Sequence, residues 1–200
     1  MLHVPAIGEV VNWFGWGNGR EAVAAVSGIL VVAVLLAPVI VGLLLDGLQR
    51  LQISLVSRLS RKLAYGLANF GTLPGVIVHE LSHALLAVVT GAKVEEIVLM
   101  ETHQESLGHV AYVARGPWFL KAIQHTLIAC APTVTGLCLV YVLFRYMLDN
   151  PHAPWEYGVL CYLIICLVNH STMSSADLKL YAKGVWIFVL PLFAVFFFSA

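Results

Sequence analysis

The segment Thr72–Val94, TLPGVIVHELSHALLAVVTGAKV, places two histidines and a glutamate inside a run that is otherwise almost entirely apolar. Pro74 suits the first turn of a helix and Gly91 is a typical helix stop, so the pattern predicts a helix over 74–90. Thr72 suits the N-cap position of that helix. An ionisable group in a membrane interior is costly, so the polar residues of this helix are interpreted as functional.

The composition predicts an integral membrane protein. The chain has 200 residues, of which 60% are hydrophobic and 11% are charged, whereas a soluble domain carries roughly 25% charged residues. Its mean hydropathy is +0.89. Lipid must therefore cover much of the surface, and the lipid bilayer is an expected partner. The formal net charge is zero, with no basic face for nucleic acid, so no nucleic-acid partner is expected.

Apolar runs of about 20 residues mark the candidate membrane helices. The first covers 22–45, and the amphipathic connector 46–70 that follows is predicted to be either a helix at the membrane surface or a connecting loop. Three later apolar spans are predicted at 119–147, 155–168 and 185–199.

Residues 93–116 have a different pattern, with two short β-prone stretches around a polar turn, and predict a β-hairpin. The chain is therefore expected to be an all-α polytopic membrane protein with about four to six membrane helices and a small β-hairpin after the metal-binding helix. We expect one membrane-embedded domain over 1–200, with its zinc-site core at 74–179 and its last membrane helix at 185–199.

The pattern His79-Glu80-Leu81-Ser82-His83 predicts a metal site. Residues four apart share one face of a helix, so His79 and His83 can bind one divalent cation, most commonly Zn²⁺. Glu80 is offset by about 100° around the helix, from where its carboxylate can act as a general base on a water molecule.

A catalytic zinc usually takes a third protein ligand. Asp177 is the first candidate, because it is one of only three aspartates and occupies a polar break between two apolar spans. Helix capping after Ser174 is the competing explanation for this aspartate. His170 is the second candidate. The remaining candidates are Glu101, His103, Glu105, His109, His125 and His152.

The segment His79–Ala84, followed by Ala87 and Gly91–Val94, resembles the zinc-binding helix of the site-2 protease family of intramembrane metalloproteases. Ala131–Gly136 resembles the start of the next core helix in that family. The resemblance implies a zinc metalloendopeptidase of the HExxH type whose third ligand is an aspartate from a later membrane segment, for which Asp177 is the best match. It also implies a substrate class, namely peptide bonds in or near membrane segments of another protein or peptide.

The chain departs from the family pattern in two respects. The usual Asn-Pro and Leu-Asp-Gly context of the third ligand is replaced by Asn169-His170 and Ser175–Leu178, and no PDZ domain is inserted. The small size and the lack of a recognisable targeting segment favour a multi-pass protein of a prokaryotic cell membrane.

Two other functions are compatible with the zinc helix. One is a membrane gluzincin-like protease with Glu101 or Glu105 as third ligand, which normally requires a second helix at that point. The other is a non-proteolytic zinc-binding membrane protein, either a chaperone or a transporter. A transporter is expected to carry more polar residues along its other spans than His125 and Asn169-His170.

Overall fold

The structure is a computed structural model that describes residues 19–99 and 108–199. The chain divides into two compact units. One contains the described residues of 1–37 and 185–200, and the other is Pro38–Gly184 apart from 100–107. His79, His83 and Asp177 all belong to the second unit.

The described residues are mainly helical, with one small antiparallel sheet. In chain order they form α1 (Arg20–Ser57), α2 (Arg61–Gly66), a π-helical turn (Leu67–Gly71), α3 (Leu73–Val89), β1 (Lys93–Val98), β2 (His109–Val113), α4 (Trp118–Asp149), α5 (Pro154–His170), α6 (Ser175–Gly184), a 3₁₀ turn (Val185–Phe188) and α7 (Val189–Phe198). The prediction of a helical fold with a small β-hairpin is therefore confirmed.

Within the described residues, three helical segments are long and apolar enough to cross a membrane: Arg20–Ser57, Trp118–Asp149 and Ser175–Phe198. The predicted number of four to six membrane helices is too high. The apolar helices α3 and α5 have only 17 residues each, whereas a full crossing needs about 20. Large apolar side chains on α1 point outward, as Leu44 does at 67% exposure, which is consistent with a lipid-facing surface.

The first helix is longer than predicted. It was expected to end at 45, before a connector over 46–70, but α1 continues to Ser57. Asp46 and Arg50 face each other one turn apart, with Oδ2 and Nε separated by 2.8 Å. Such i,i+4 pairs support a helix across polar positions. The predicted connector is therefore shorter than 46–70. It consists of the break at 58–60, α2 and the π-helical turn that leads into α3.

The predicted bounds of α3 are confirmed to within one residue. Its C-terminus is a Schellman motif, because Ala92 N donates to Ala87 O at 2.8 Å and Gly91 N donates to Val88 O at 3.0 Å. Gly91 has a φ of +81°, a left-handed conformation that glycine adopts without strain. The chain therefore turns sharply from α3 into β1.

Close helix contacts bring the other elements to α3. α3 packs against α4 and α5, and α4 also packs against α6. A Cβ atom at Gly75 would overlap the carbonyl of Cys166 in α5, and one at Gly184 would overlap the carbonyl of Ala122 in α4. Small residues at such crossings let helix backbones approach closely in apolar surroundings.

The hairpin pairs β1 and β2 in antiparallel register, with Val94 opposite Tyr112. A fully buried amide fixes the end of β2 against α3. Gln124 Nε2 donates to Thr90 O at 2.9 Å, and its Oε1 accepts from Arg115 N at 2.9 Å. The Gln124 side chain of α4 therefore helps to set the position of the hairpin relative to α3.

The last membrane segment begins earlier than the predicted residue 185. A continuous helical stretch of 24 residues runs over Ser175–Phe198. Its start is set by a capping interaction in which Asp177 N donates to Ser174 Oγ at 3.1 Å. Asp177 consequently lies in the first turn of a membrane-length helix rather than in a loop between two spans.

We expect Gly75→Ala to reduce the stability of the protein in detergent, because the added methyl group meets backbone of α5 that cannot move aside. Overpacking of this kind costs typically about 1–3 kcal/mol. Gly158→Ala in α5 is the matched control, since a Cβ there meets nothing within 4 Å. Thermal unfolding should show a lower midpoint for Gly75→Ala only; equal midpoints for the two variants would contradict the close packing of α3 on α5.

Candidate metal centre

His79 and His83 lie one helical turn apart on the same face of α3. Their ring centroids are 4.9 Å apart in an edge-to-face arrangement. His83 is buried and His79 is half-buried. The prediction that the two imidazoles share a face is therefore confirmed, and the face points inward rather than to the lipid side.

Both imidazoles are fixed through Nδ1 by backbone carbonyls of neighbouring helices. His79 Nδ1 donates to the His170 carbonyl oxygen at 2.7 Å, and His83 Nδ1 donates to the Ile128 carbonyl oxygen at 2.8 Å. A carbonyl oxygen can only accept, so Nδ1 carries a hydrogen in each ring, and in the neutral imidazole Nε2 is then the atom with the lone pair that can bind a metal. Metal-ligating histidines are commonly oriented in this way.

Asp177 presents one carboxylate oxygen to the histidines and uses the other as a cap. Its Oδ1 lies 3.5 Å from His83 Nε2. Its Oδ2 accepts from Ser174 N at 3.0 Å and from the Ser174 hydroxyl. From the sequence, Asp177 could be either a metal ligand or part of a helix cap. Its two carboxylate oxygens allow one side chain to fill both roles.

The three side chains fit a single cation. One ligand atom from each of His79, His83 and Asp177 lies within 4.8 Å of the others. Two ligands of a tetrahedral zinc with bonds of 2.0–2.1 Å are about 3.4 Å apart, close to the 3.5 Å between His83 Nε2 and Asp177 Oδ1. With a neutral His83 ring, a cation bound between the Nε2 lone pair and the carboxylate would stabilise this close approach. The trio can therefore hold a metal ion, with room for a water molecule as fourth ligand.

The ring of His170 does not join this group. Its Nε2 lies 2.8 Å from Thr72 Oγ1. The Thr72 hydroxyl donates to Ala68 O at 2.7 Å, so its oxygen accepts from His170 Nε2–H. His170 contributes to the site through its backbone carbonyl instead. The predicted N-cap position of Thr72 is confirmed, but its hydroxyl donates to the Ala68 carbonyl of the preceding π-helical turn and makes no capping hydrogen bond to α3.

Glu80 lies beside the trio in the same cavity. The cavity has a volume of about 540 Å³ and is lined by Glu80 together with His79, His83 and Asp177. The Glu80 side chain is buried at 7% exposure. Gly108 lies directly over it, because a Cβ atom at Gly108 would be 2.8 Å from Glu80 Cγ.

One wall of this cavity is formed by β2, through His109, Val110 and Tyr112, and by Gly108 just before it. The Tyr112 phenol oxygen lies 3.2 Å from His125 Nδ1 of α4. Burial, together with the nearby Asp177 carboxylate, raises the pKa of Tyr112 to about 12. The phenol therefore keeps its hydrogen at neutral pH and remains a hydrogen-bond donor.

The other candidate ligands named from the sequence fall into two groups. His109 Nε2 lies 4.0 Å from Glu96 on the hairpin, and His152 Nδ1 lies 3.4 Å from Glu156 at the start of α5. Together with His125, these histidines are not part of the metal-binding group found among residues 19–99 and 108–199. Glu101, His103 and Glu105 lie outside the described residues.

The residues that sequence reasoning missed act mainly through their backbones. The carbonyls of Ile128 and His170 orient the two imidazoles, and Gly108 covers the glutamate because it has no side chain. A backbone carbonyl has no signature in an amino-acid sequence. Only the pairing of Ser174 with Asp177 carried a signal, since Ser at an N-cap followed three residues later by an acidic residue resembles a capping box.

No protein-family model, curated protein or solved structure matches this chain. The functional conclusions therefore depend on the geometry of its own residues and on the motif at 79–83.

We expect Asp177→Asn and Ser174→Ala to separate the two roles of the Asp177 carboxylate. Asp177→Asn keeps an oxygen for the cap but removes the charge, so zinc affinity should fall by more than the roughly 10–100-fold that changes around the ligands cost. Ser174→Ala removes the capping hydroxyl and should lower stability by about 1 kcal/mol while leaving one zinc per chain.

Zinc content after dialysis and thermal unfolding measure the two effects on the same samples. Equal zinc retention by Asp177→Asn and the wild type would show that Asp177 is a cap only. Loss of zinc in Ser174→Ala would show that the cap, and not the carboxylate charge, determines binding.

Proposed function

We propose that this chain is an intramembrane zinc metalloprotease, a multi-pass protein of a prokaryotic cell membrane that hydrolyses peptide bonds in or near the membrane segments of other proteins. The observation that carries the proposal is the convergence of His79 Nε2, His83 Nε2 and Asp177 Oδ1 beside the buried carboxyl group of Glu80. These are the three ligands and the adjacent base that HExxH hydrolases use.

The ligand set favours zinc over harder cations. Two neutral imidazoles and one carboxylate are typical of catalytic zinc, whereas Mg²⁺ and Ca²⁺ prefer oxygen ligands throughout. The backbone carbonyls at both Nδ1 atoms hold the rings in the tautomer that binds a metal. When bound, the zinc ion would polarise a water molecule and the scissile carbonyl group.

The protein's own residues supply the proton transfers. As the water oxygen bonds to the peptide carbonyl carbon, Glu80 accepts a proton from that water. As the carbon–nitrogen bond breaks, Glu80 returns the proton to the leaving amine, so one water is consumed and the carboxylate is regenerated. The cavity of about 540 Å³ gives room for the substrate backbone next to Glu80.

The membrane substrate class is supported by the surroundings of the site. Three helices of membrane-spanning length belong to the same chain, so a substrate reaching the cavity is itself expected to be apolar. The resemblance of 79–94 to the zinc helix of site-2 proteases supports the same class. A substrate segment must be unwound before attack, and the β2 wall of the cavity offers a strand along which an extended segment can align.

The alternative third ligands Glu101 and Glu105 would make the site gluzincin-like. Asp177 already lies within 3.5 Å of His83 Nε2, and the residues after α3 enter a β-strand rather than the second helix that such sites use. Both observations favour Asp177 over Glu101 and Glu105 as the third ligand. A metal-binding chaperone or transporter would share the three ligands but would not depend on Glu80.

We expect Glu80→Gln to retain one zinc per chain and to lose peptide hydrolysis by about 10²–10⁴-fold or more, since the amide cannot accept the water proton. The assay uses zinc-loaded protein in liposomes with a pool of synthetic membrane-spanning peptides, and cleavage is read by mass spectrometry. Glu21→Gln in the first turn of α1 is the control and should cleave like the wild type.

Two results would contradict the proposed protease. One is a zinc-loaded wild type that cleaves none of the peptides, and the other is a Glu80→Gln variant that cleaves as fast as the wild type. The second result would point to a metal site without general-base catalysis, as a chaperone or transporter would have.

We expect Gly108→Ala to slow hydrolysis without reducing zinc content. The added Cβ would lie 2.7 Å from the Val98 carbonyl oxygen and 2.8 Å from Glu80 Cγ, so the glutamate side chain must shift away from its position beside the ligands. The fall should appear in kcat, because the shift affects the base and not the zinc. Gly158→Ala serves again as control, and an unchanged kcat for Gly108→Ala would show that the hairpin does not set the position of Glu80.

A further inference from the structure

We infer that Tyr112 is a further catalytic residue, whose phenolic O–H donates a hydrogen bond to the carbonyl oxygen of the scissile peptide while negative charge grows on it. This inference rests on the proposed protease function. Hydrolases of this kind gain much of their rate from donors placed where the oxyanion develops. The ligands and Glu80 account for the water and its proton, but the proposed chemistry assigns no protein donor to the carbonyl oxygen.

The position of Tyr112 suits this task. It lies on β2, opposite Val94 of β1, and its side chain lines the same cavity as Glu80 and the three ligands. The buried Gln124 amide links Arg115, just after β2, to Thr90 at the C-terminal end of α3 and so holds the strand that carries Tyr112 against that helix.

His125 is assigned as the positioning residue for this phenol. Its Nδ1 lies 3.2 Å from the Tyr112 oxygen, and the two ring planes are inclined by 51°. When Nδ1–H donates to the phenol oxygen, the phenolic hydrogen is left for a partner in the cavity. His125 itself does not line the cavity, so its effect on the reaction passes through Tyr112.

The other polar side chains near the cavity are less suited to the task. His170 donates its Nε2 hydrogen to Thr72, and the Ser174 hydroxyl donates to Asp177. Asn169 lines a separate cavity together with Gln49 and Gln52 rather than the one that contains the ligands. The free alcohols of Thr172 and Ser175 also line the metal cavity, but a phenol is the more acidic group and hence the stronger donor.

The donor role leaves the proton balance of hydrolysis unchanged. Tyr112 keeps its hydrogen throughout and only shares it with the developing oxyanion. Glu80 remains the group that accepts the water proton and delivers it to the amine. Removing the phenolic oxygen should therefore reduce the stabilisation of the transition state, while the zinc and the general base stay in place.

The test compares Tyr112→Phe with the wild type, using Tyr141→Phe on the exposed face of α4 as the matched control. We expect Tyr112→Phe to lower kcat by about 10²–10³-fold, the effect of removing one oxyanion donor, with KM changed little. A second readout is independent of turnover. Affinity for a phosphinic peptide, whose tetrahedral P–O⁻ group mimics the oxyanion, should fall in Tyr112→Phe and stay unchanged in Tyr141→Phe.

The positioning role of His125 has its own test. His125→Ala should lower kcat and phosphinic-peptide affinity in the same direction as Tyr112→Phe, but by less, because the phenol is still present. Asn can place an amide N–H near the position of Nδ1. His125→Asn should therefore restore a large part of kcat and of the affinity for the phosphinic peptide. Equal losses in the Ala and Asn variants would show that His125 is only a packing residue.

The outcomes separate this inference from the proposed function. A zinc-loaded wild type without hydrolysis overturns both. If the wild type cleaves, and Tyr112→Phe matches it in activity and in affinity for the phosphinic peptide, only the role of Tyr112 is overturned. A Tyr112→Phe protein that binds less zinc or unfolds at lower temperature than Tyr141→Phe assigns the phenol a structural role and likewise overturns the inference.

Discussion

The candidate site depends on one close approach, in which an imidazole nitrogen and a carboxylate oxygen come to a distance that suits two ligands of one cation. His83 Nε2 lies 3.5 Å from a carboxylate oxygen of Asp177, in a part of the protein where both side chains are buried. Electrostatic interactions between partly buried groups are stronger than in bulk water. A cation bound by His79, His83 and Asp177 would be held by three ligand bonds, and the surrounding helices provide the frame that holds these side chains together.

That frame consists of contacts made by backbone groups. The carbonyls of Ile128 and His170 orient the imidazoles, and the cap at Ser174 turns one oxygen of Asp177 towards them. α3 lies close enough to α5 for this because Gly75 has no side chain. Hydrogen bonds of this type are strong in an apolar interior, where no water competes for the donor or the acceptor.

The sequence predicted those features that are encoded locally. The i,i+4 spacing of His79 and His83, the stop at Gly91 and the change to a hairpin follow from patterns a few residues long, and the structure confirms them. The extent of α1 was missed because residues 46–57 looked too charged to continue a membrane helix. The orientation of His170 could not be predicted, since it depends on a hydroxyl at Thr72, far away in the chain. Asp177 could be named as a candidate ligand from its residue type and its place in a polar break. That one of its oxygens faces His83 while the other caps the helix at Ser174 could be seen only in the fold.

X-ray absorption at the zinc edge, measured on purified zinc-loaded protein, examines the ligand set itself. If His79, His83 and Asp177 hold the ion, the spectrum contains multiple scattering from two imidazoles and a first shell of nitrogen and oxygen at about 2.0–2.1 Å. A shell of sulfur at about 2.3 Å, or scattering from fewer than two imidazoles, would show that the metal is held elsewhere and would contradict the metal centre described above.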